Sequence, residues 1–318
     1  MPFEMNKAFI EKSYETMYLI RRVEEEIIRV YPTDAVKSPV HLSIGQESIS
    51  VGVCEALQPQ DIVFGTYRGH ALYLAKGGDL NRFMAELYGK VDGSSRGKGG
   101  SMHVVDTSVG MMGTSAIVAT SIPNAVGHAF AMKMQGRDVV TVCFFGEGAT
   151  DEGVFHEALN FASLKKLPIL FVCENNSYAI YSHVSERMPH PNLCERAQAY
   201  RIPAEKIEGG DFFNVHERTK ALVSEIRAGG GPRFIECMTY RWRDHVGPGE
   251  DRYLQYRPDP ELDEWIANDQ VARLSGMISD DVRKKIEADA EVRIAKAMAL
   301  AEESPFPEDQ EIYHHVFS

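Results

Sequence analysis

The 318-residue sequence has few basic side chains and few cysteines. Thirty-four Lys and Arg stand against 46 Asp and Glu, a formal net charge of −12, and such a field repels nucleic-acid phosphates and anionic lipid headgroups. We therefore expect neither nucleic acid nor a membrane surface as a partner. The five cysteines include no C-x-x-C pair, which argues against a disulfide framework or a zinc knuckle. A reducing compartment, the cytoplasm, is the prediction.

Signals for export and membrane insertion are also missing. Segment 1–28 mixes charges throughout and has no apolar centre, unlike a signal peptide, and its acidic residues argue against a transit peptide. The stretch 107–132 contains no Asp, Glu, Lys or Arg. Pro123, Asn124 and His128 interrupt it, so we predict a loop and a helix buried in protein instead of a membrane span.

Three common catalytic or binding motifs are absent or wrongly spaced. No H-E-x-x-H occurs, and His314–His315 lie in the tail, so zinc catalysis has no support. In the segment 97–101, Lys98 is followed by glycine and the upstream glycines are misplaced for a phosphate-binding P-loop. The dinucleotide fingerprint G-x-G-x-x-G fails because the glycine after Gly148 is Gly153.

What is present is an alternation of apolar runs and helix-length segments. The strand-like runs are 61–65, 139–145, 169–173 and 234–238, and the helix-like segments are 79–89, 121–134, 151–166 and 214–228. This alternation predicts an α/β fold with a doubly wound, mostly parallel sheet covered on both faces. An amphipathic helix over 7–31 and a charged helical tail over 279–303 flank it, and with no dividing linker we predict one domain, 1–318. Glycine-rich, charged segments at 89–101 and 241–258 are typical of mobile loops over a site.

The sharpest motif is GEGATDEG, which follows a predicted strand. Gly146 and Gly148 allow backbone N–H groups to approach an anion, usually a phosphate. Glu147 would repel a diphosphate unless a cation lies between the two, and Mg²⁺ prefers carboxylate and amide oxygens. Asn176 follows the next strand, 29 residues later, and parallel strands end at one edge of the sheet. Glu147 and Asn176 are therefore predicted to share a magnesium ion.

This pattern resembles the binding motif of thiamine-diphosphate enzymes, Gly-Asp-Gly, a gap of roughly thirty residues and paired Asn. The segments HLSIGQES, TYRGH, GKGGSMH, AIVATSIPNAVG, GEGATDEG, LPILFVCENNSYAI and MTYRWRDH occur in the order seen in the α subunits of 2-oxo acid dehydrogenase decarboxylases. The resemblance extends from about residue 10 to about residue 260. It implies the diphosphate-binding half of the thiamine-diphosphate-binding fold, with thiamine diphosphate and Mg²⁺ as cofactors.

The resemblance also implies roles for single residues. The implied cofactor-binding residues are Tyr67 and Arg68 at the diphosphate, Gly146, Gly148 and Ala149 beside it, Ala116, Ile117 and Val118 on the aminopyrimidine, and Asn176 and Tyr178. The implied magnesium ligands are Glu147, Asn176 and the backbone carbonyl of Tyr178. His41 and His245 correspond to active-site histidines near the reacting carbon, where an imidazole can donate to a carboxylate or an alkoxide.

The family pattern implies a partner, and this sequence departs from the pattern at three positions. A β subunit supplies the carboxylate that activates the aminopyrimidine, which implies an α2β2 assembly. Glu147 replaces the common Asp, and the longer side chain still reaches Mg²⁺. Val246 stands where mitochondrial pyruvate members carry a phosphorylatable Ser, so kinase control is not expected. Tyr181 replaces a small residue, and it either narrows the pocket to a small acyl donor or faces the partner.

The leading hypothesis is the α subunit of a thiamine-diphosphate-dependent 2-oxo acid or acetoin dehydrogenase. Such an enzyme cleaves the bond beside a ketone carbonyl, with the cofactor as electron sink, and passes the acyl unit to lipoamide on an acyltransferase. One alternative is a carboligase in a biosynthetic pathway without a lipoyl partner. A nicotinamide-dependent Rossmann oxidoreductase, with Glu174 binding a ribose, and a non-catalytic regulatory subunit are the others.

Overall fold

The computed structural model describes residues 6–314 and Val316, and a single parallel sheet organises them. Its six strands are β1 (Ile62–Thr66), β2 (Met111–Ser115), β3 (Thr141–Gly146), β4 (Ile169–Asn175), β7 (Ala204–Ile207) and β8 (Arg233–Met238). They lie in the order β2-β1-β3-β4-β8-β7, and every pairing is parallel. Two short strands, β5 (Tyr178–Ala179) and β6 (Ser182–His183), form a separate antiparallel hairpin. The predicted α/β class with a parallel sheet is confirmed.

Helices surround the sheet. They are α1 (Lys7–Val30), α2 (Glu47–Cys54), α3 (His70–Ala75), α4 (Leu80–Leu87), α5 (Ser121–Met134), α6 (Gly153–Leu164), α7 (Val184–Arg187), α8 (Leu193–Gln198), α9 (Phe212–Glu225), α10 (Asp259–Ala267), α11 (Gln270–Ser275) and α12 (Asp280–Glu303). Each long helix predicted from the sequence is present, with ends shifted by up to three residues. Asn6 shows why α1 begins where it does, because its side chain accepts the Ala8 N–H at 3.0 Å as an N-cap.

The two faces of the sheet pack against separate hydrophobic cores. In β3, Val142 and Phe144 belong to the core that includes α1, whereas Cys143 and Phe145 belong to the core that includes α5 and α6. Strand β4 alternates in the same way. Burial on both faces explains why these strands read as continuous apolar runs. No described helix has the length and apolarity needed to cross a lipid bilayer.

Two strands of the sheet escaped prediction, and both lie at its edges. Strand β2 falls within the uncharged stretch 107–132, which was predicted as a loop followed by a helix. Its sequence MMGTS and the AEKI of β7 are only partly buried. An edge strand packs against fewer neighbours, so its sequence lacks the apolar run that marks a central strand.

The two segments predicted as mobile loops are held by buried side chains. Glu86 accepts backbone N–H groups from the loop 89–101. In the loop 241–258, the buried Asp251 accepts from Arg241 at 3.0 Å and from Arg257 at 2.6 Å. The loop 241–258 contributes His245 to the cavity described below, and the loop 89–101 ends beside Met102, which also lines it. These hydrogen bonds anchor both loops to the fold, and their mobility stays a prediction.

Candidate active site

A cavity of about 430 Å³ opens at the carboxyl ends of β1 to β4. Its wall includes each predicted site residue, namely His41, Tyr67, Arg68, Ala116, Ile117, Val118, Gly146, Glu147, Gly148, Ala149, Asn176, Tyr178 and His245. The chain leaves β1 for β2 on one side and continues with β3 on the other, and ligands bind at such a switch point in open α/β sheets. The structure thus brings these residues together, while their roles stay predictions.

Arg68 is a buried cation without a carboxylate partner. Its guanidinium donates to the backbone oxygens of Leu42 at 2.7 Å and His245 at 3.2 Å, and within residues 6–314 no carboxylate forms an ion pair with it. Burial lowers the pKa of Arg68 to about 10, which leaves it charged at neutral pH. Its hydrogen-bond partners are all neutral, and Glu174 attracts it without a direct hydrogen bond. Burying a charge in this way is costly, so this end of the cavity favours an anion.

The turn after β3 is built around two glycines. A Cβ atom at Gly148 would lie 2.8 Å from the Cβ of Ala179, so only glycine allows this close approach. At Gly146 the nearest atom to an added Cβ is a backbone oxygen 4.0 Å away, and the residue lines the cavity. A side chain there would enter space that a ligand needs. Both glycines therefore keep room for a group packed against the turn.

Glu147 and Asn176 lie at the same edge of the sheet. Gly146 pairs with Glu174 in the register of β3 and β4, so the residues that follow both strands meet at the cavity. Burial raises the pKa of Glu147 to about 7, against the opposing effect of Arg187. Arg187 donates to its Oε1 atom at 2.7 Å.

These donors fit a magnesium ion. A carboxylate, an amide oxygen and the carbonyl of Tyr178 are the hard oxygen ligands that Mg²⁺ uses, with phosphate oxygens and water completing the octahedron. Among the described residues there is no cluster of three His, Cys, Asp or Glu suited to a metal. Asn176 is oriented by Gln46, whose Oε1 accepts its amide N–H at 3.0 Å.

His41 and His245 lie beside each other in the cavity wall. Their ring centroids are 5.3 Å apart in an edge-on arrangement, and the Tyr67 ring lies 4.5 Å from that of His41. Burial, and then the charge of Arg68, lowers the pKa of each histidine to about 3. Both are therefore neutral at pH 7. The Nδ1 atom of His41 is buried and has no hydrogen-bond partner within the described part of the chain.

The family model described as "Dehydrogenase E1 component" matches residues 15–310. This chain belongs to the dehydrogenase E1 component family. Membership implies thiamine diphosphate as cofactor and makes the chain a component of a thiamine-diphosphate-dependent dehydrogenase. It favours the leading hypothesis over the nicotinamide-dependent and regulatory alternatives.

Individual relatives match almost end to end. The α subunit of the acetoin:2,6-dichlorophenolindophenol oxidoreductase of Bacillus subtilis is 35% identical over 308 residues, covering 96% of this chain and 92% of the relative. The α subunits of the pyruvate dehydrogenase E1 components of Porphyra purpurea and Zymomonas mobilis are each 36% identical, over 318 and 307 residues. These alignments cover 96% and 95% of this chain and 92% and 87% of the relatives.

Three residues of this E1 site escaped sequence reasoning. Gln46 lay inside the segment HLSIGQES, so its motif was a usable signal. Glu174 was considered only for a ribose; its side chain lines the cavity, and burial raises its pKa to about 7. Arg187 had no signal, since only folding brings it to the turn.

Tyr181 is not part of the cavity wall. Its ring is 46% exposed and packs against Tyr256 with centroids 4.8 Å apart. This position favours the alternative in which Tyr181 faces a partner over the one in which it narrows the pocket. Ile180 lines the cavity instead.

Proposed function

We propose that this chain is the α subunit of a thiamine-diphosphate- and magnesium-dependent dehydrogenase that cleaves the bond beside the carbonyl of a small ketone, pyruvate or acetoin. The acyl unit passes to lipoamide on a lipoyl acyltransferase. The observation that carries the proposal is the unpaired, buried guanidinium of Arg68 in the same cavity as the Glu147 turn. The relatives' names supply the two substrates.

Arg68 and the glycine turn would hold the diphosphate. Arg68 and Tyr67 contact it from the end of β1, and the turn at Gly148 and Ala149 packs against it. Glu147, Asn176 and the carbonyl of Tyr178 would hold a Mg²⁺ ion. A positive ion there removes the repulsion that would otherwise oppose binding.

The aminopyrimidine lies on the turn from Ala116 to Val118. Ile117 is 64% exposed and Val118 is 44% exposed, although both are apolar and line the cavity. A β subunit that covers this turn removes that apolar surface from water and brings the carboxylate that activates the ring. The working unit is then an α2β2 heterotetramer.

His41 and His245 act on the substrate. When bound, thiamine diphosphate supplies a nucleophilic carbanion and an electron sink for the bond cleavage. Because both imidazoles are neutral, each can donate one hydrogen bond to the substrate's carboxylate or developing alkoxide without a competing charge.

The cysteines and the sheet bear on the compartment and the domain organisation of the protein. Cys54, Cys143, Cys173, Cys194 and Cys237 are all free thiols, which supports a reducing, cytoplasmic location. The parallel sheet with its flanking helices supports one thiamine-diphosphate-binding domain over residues 1–318.

The test is to co-purify the chain with its β subunit and to measure ketone consumption with thiamine diphosphate and Mg²⁺, with and without lipoamide. We expect both cofactors and the β subunit to be required, and lipoamide to accept the acyl unit. Glu147→Ala should lose thiamine-diphosphate retention, whereas Glu157→Gln, on an exposed position of α6, should not. Full activity of Glu147→Ala would contradict the metal assignment. A rate of ketone consumption that does not change when lipoamide is added would favour the carboligase.

A further inference from the structure

The guanidinium of Arg187 contacts both ends of the turn that carries Glu147. Arg187 is the last residue of α7, and its Nη2 atom donates to Glu147 Oε1 at 2.7 Å. Its Nη1 atom pairs with Asp151. Glu147 and Asp151 are the first and last residues of one 3₁₀ turn, so the arginine holds this turn at both ends.

The same arginine closes the segment that supplies the other proposed ligands. Asn176 and Tyr178 begin the stretch of hairpin and short helix that ends at Arg187. That stretch approaches the turn a second time where Ala179 packs on Gly148. The segments that follow β3 and β4 and carry the proposed metal ligands are thus linked by one ion pair and by the close approach of Ala179 to Gly148.

We infer that Arg187 is a positioning residue for the magnesium site, an inference that rests on the proposed function. Its hydrogen bond occupies Oε1 of Glu147 and sets the carboxylate's orientation, so that Oε2 is presented to the ion. A planar guanidinium fork can hold two carboxylates in a defined geometry, which a lysine ammonium cannot. Mg²⁺ demands a nearly ideal octahedron, so a fixed carboxylate matters for its binding.

The arrangement supports orientation instead of competition with the ion. Arg187 is only 16% exposed and keeps Asp151 as a second carboxylate partner. Its charge therefore has a partner besides Glu147, and a bound cation can share the Glu147 carboxylate without displacing the guanidinium. Partners of metal-binding side chains of this kind typically contribute about 10- to 100-fold in metal affinity.

The test is calorimetric titration of MgCl₂ into the full chain, co-purified with its β subunit, at a fixed concentration of thiamine diphosphate. Arg187→Gln should weaken Mg²⁺ binding by about 10- to 100-fold. The matched control is Arg196→Gln, because Arg196 contacts Asp151 at 3.1 Å and the Thr150 carbonyl at 2.8 Å but makes no hydrogen bond to Glu147. Its Mg²⁺ affinity should stay close to that of the wild type.

A parallel CaCl₂ titration separates orientation from general damage. Ca²⁺ accepts flexible geometry, so Arg187→Gln should weaken Ca²⁺ binding less than Mg²⁺ binding and lower the preference for Mg²⁺. An equal loss for both ions, or Mg²⁺ binding at least as tight as in the wild type, would overturn the inference. If Arg187→Gln does not fold, Arg187→Lys takes its place with the same expected loss of preference.

The outcomes distinguish this inference from the function on which it rests. If the wild type binds Mg²⁺ and Glu147→Ala does not, while Arg187→Gln matches the wild type, only the positioning role is wrong. If the wild type and Glu147→Ala are alike, the metal assignment itself fails, and the inference fails with it.

Discussion

Replacing Glu86 by Gln tests how the loop beside the cavity is held. The fully buried Glu86 accepts four backbone N–H groups. Its Oε2 atom accepts from Ser95 at 2.7 Å and Gly97 at 3.0 Å, and its Oε1 atom accepts from Gly99 at 2.7 Å and Gly100 at 3.0 Å. In Glu86→Gln the amide NH₂ must take the place of one oxygen, so two N–H donors face another donor.

The expected loss of stability follows from those contacts. Hydrogen bonds to a charged group contribute about 1.5 to 3 kcal/mol each, so losing two costs at least about 3 kcal/mol. The unfolding entropy of a chain of 318 residues is about 0.7 kcal/mol/K at about 2.1 cal/mol/K per residue. The melting temperature of Glu86→Gln should therefore fall by about 4 to 5 °C or more.

Thermal unfolding measured by circular dichroism, together with amide hydrogen exchange over residues 95–100, checks the prediction. Glu157→Gln is the control, since Glu157 is exposed on α6 and a surface change of this kind usually stays within about 0.5 kcal/mol. The loop leads to Met102, which lines the cavity, and to His103, which accepts the Ala116 N–H at 3.3 Å. Exchange should therefore rise at the aminopyrimidine turn too. A variant that melts with the wild type and keeps its loop amides protected would refute the anchoring role.

Three further predictions concern the cavity itself. Gly146→Ala should melt close to the wild type, because its new methyl group meets no protein atom nearer than 4.0 Å, but should bind thiamine diphosphate more weakly by calorimetry; unchanged affinity would contradict the cavity assignment. Arg68→Met should fold well, since it removes a buried charge that has no ion-pair partner. Its affinity for thiamine diphosphate should fall by about 10- to 100-fold, because one charge-assisted hydrogen bond contributes about 1.5 to 3 kcal/mol. Affinity equal to that of the wild type would show that the anion lies elsewhere. In the folded chain the pKa values of His41 and His245 are about 3, against about 6.5 when unfolded, so the unfolded chain binds more protons between these values and stability should fall as pH drops from 6.5 towards 3. Measured by urea unfolding, His41→Asn should lose less stability between pH 7 and pH 5 than the wild type. An equal loss of stability would exclude His41 as a contributor.

Prediction from sequence worked best where the environment is uniform along the chain. The central strands β3 and β4 are buried on both faces, so most of their residues are apolar and the runs can be recognised. Helix α5 matches its predicted bounds, 121–134. The edge strands β2 and β7 were missed because half of their surroundings is solvent or loop, which leaves no continuous apolar signal.

The residues around the cavity were named from sequence on two different grounds. The family resemblance implied most of them, whereas the pairing of Glu147 with Asn176 also follows from a general property of parallel sheets. The strands β1, β3 and β4 all end at the same edge of the sheet, however the helices pack. The motifs that follow these strands are therefore brought together. The charge argument at Glu147 needs no coordinates either, since a carboxylate beside a diphosphate requires a cation. The order of apolar runs and helix-length segments thus determined the fold class, strand ends and charge determined the pairing of Glu147 with Asn176, and the family resemblance supplied the other cavity residues.

Tertiary structure alone decided which side chains support that set. Arg187 meets Glu147 across 40 residues of sequence, and Gln46 meets Asn176 across 130. Glu86, inside a helix, binds a glycine loop instead of a neighbouring side chain. Such contacts depend on the distance and direction between side chains from separate elements, and no local periodicity encodes those. A sequence motif specifies the groups that touch a ligand, whereas the partners that orient them emerge only when the chain packs.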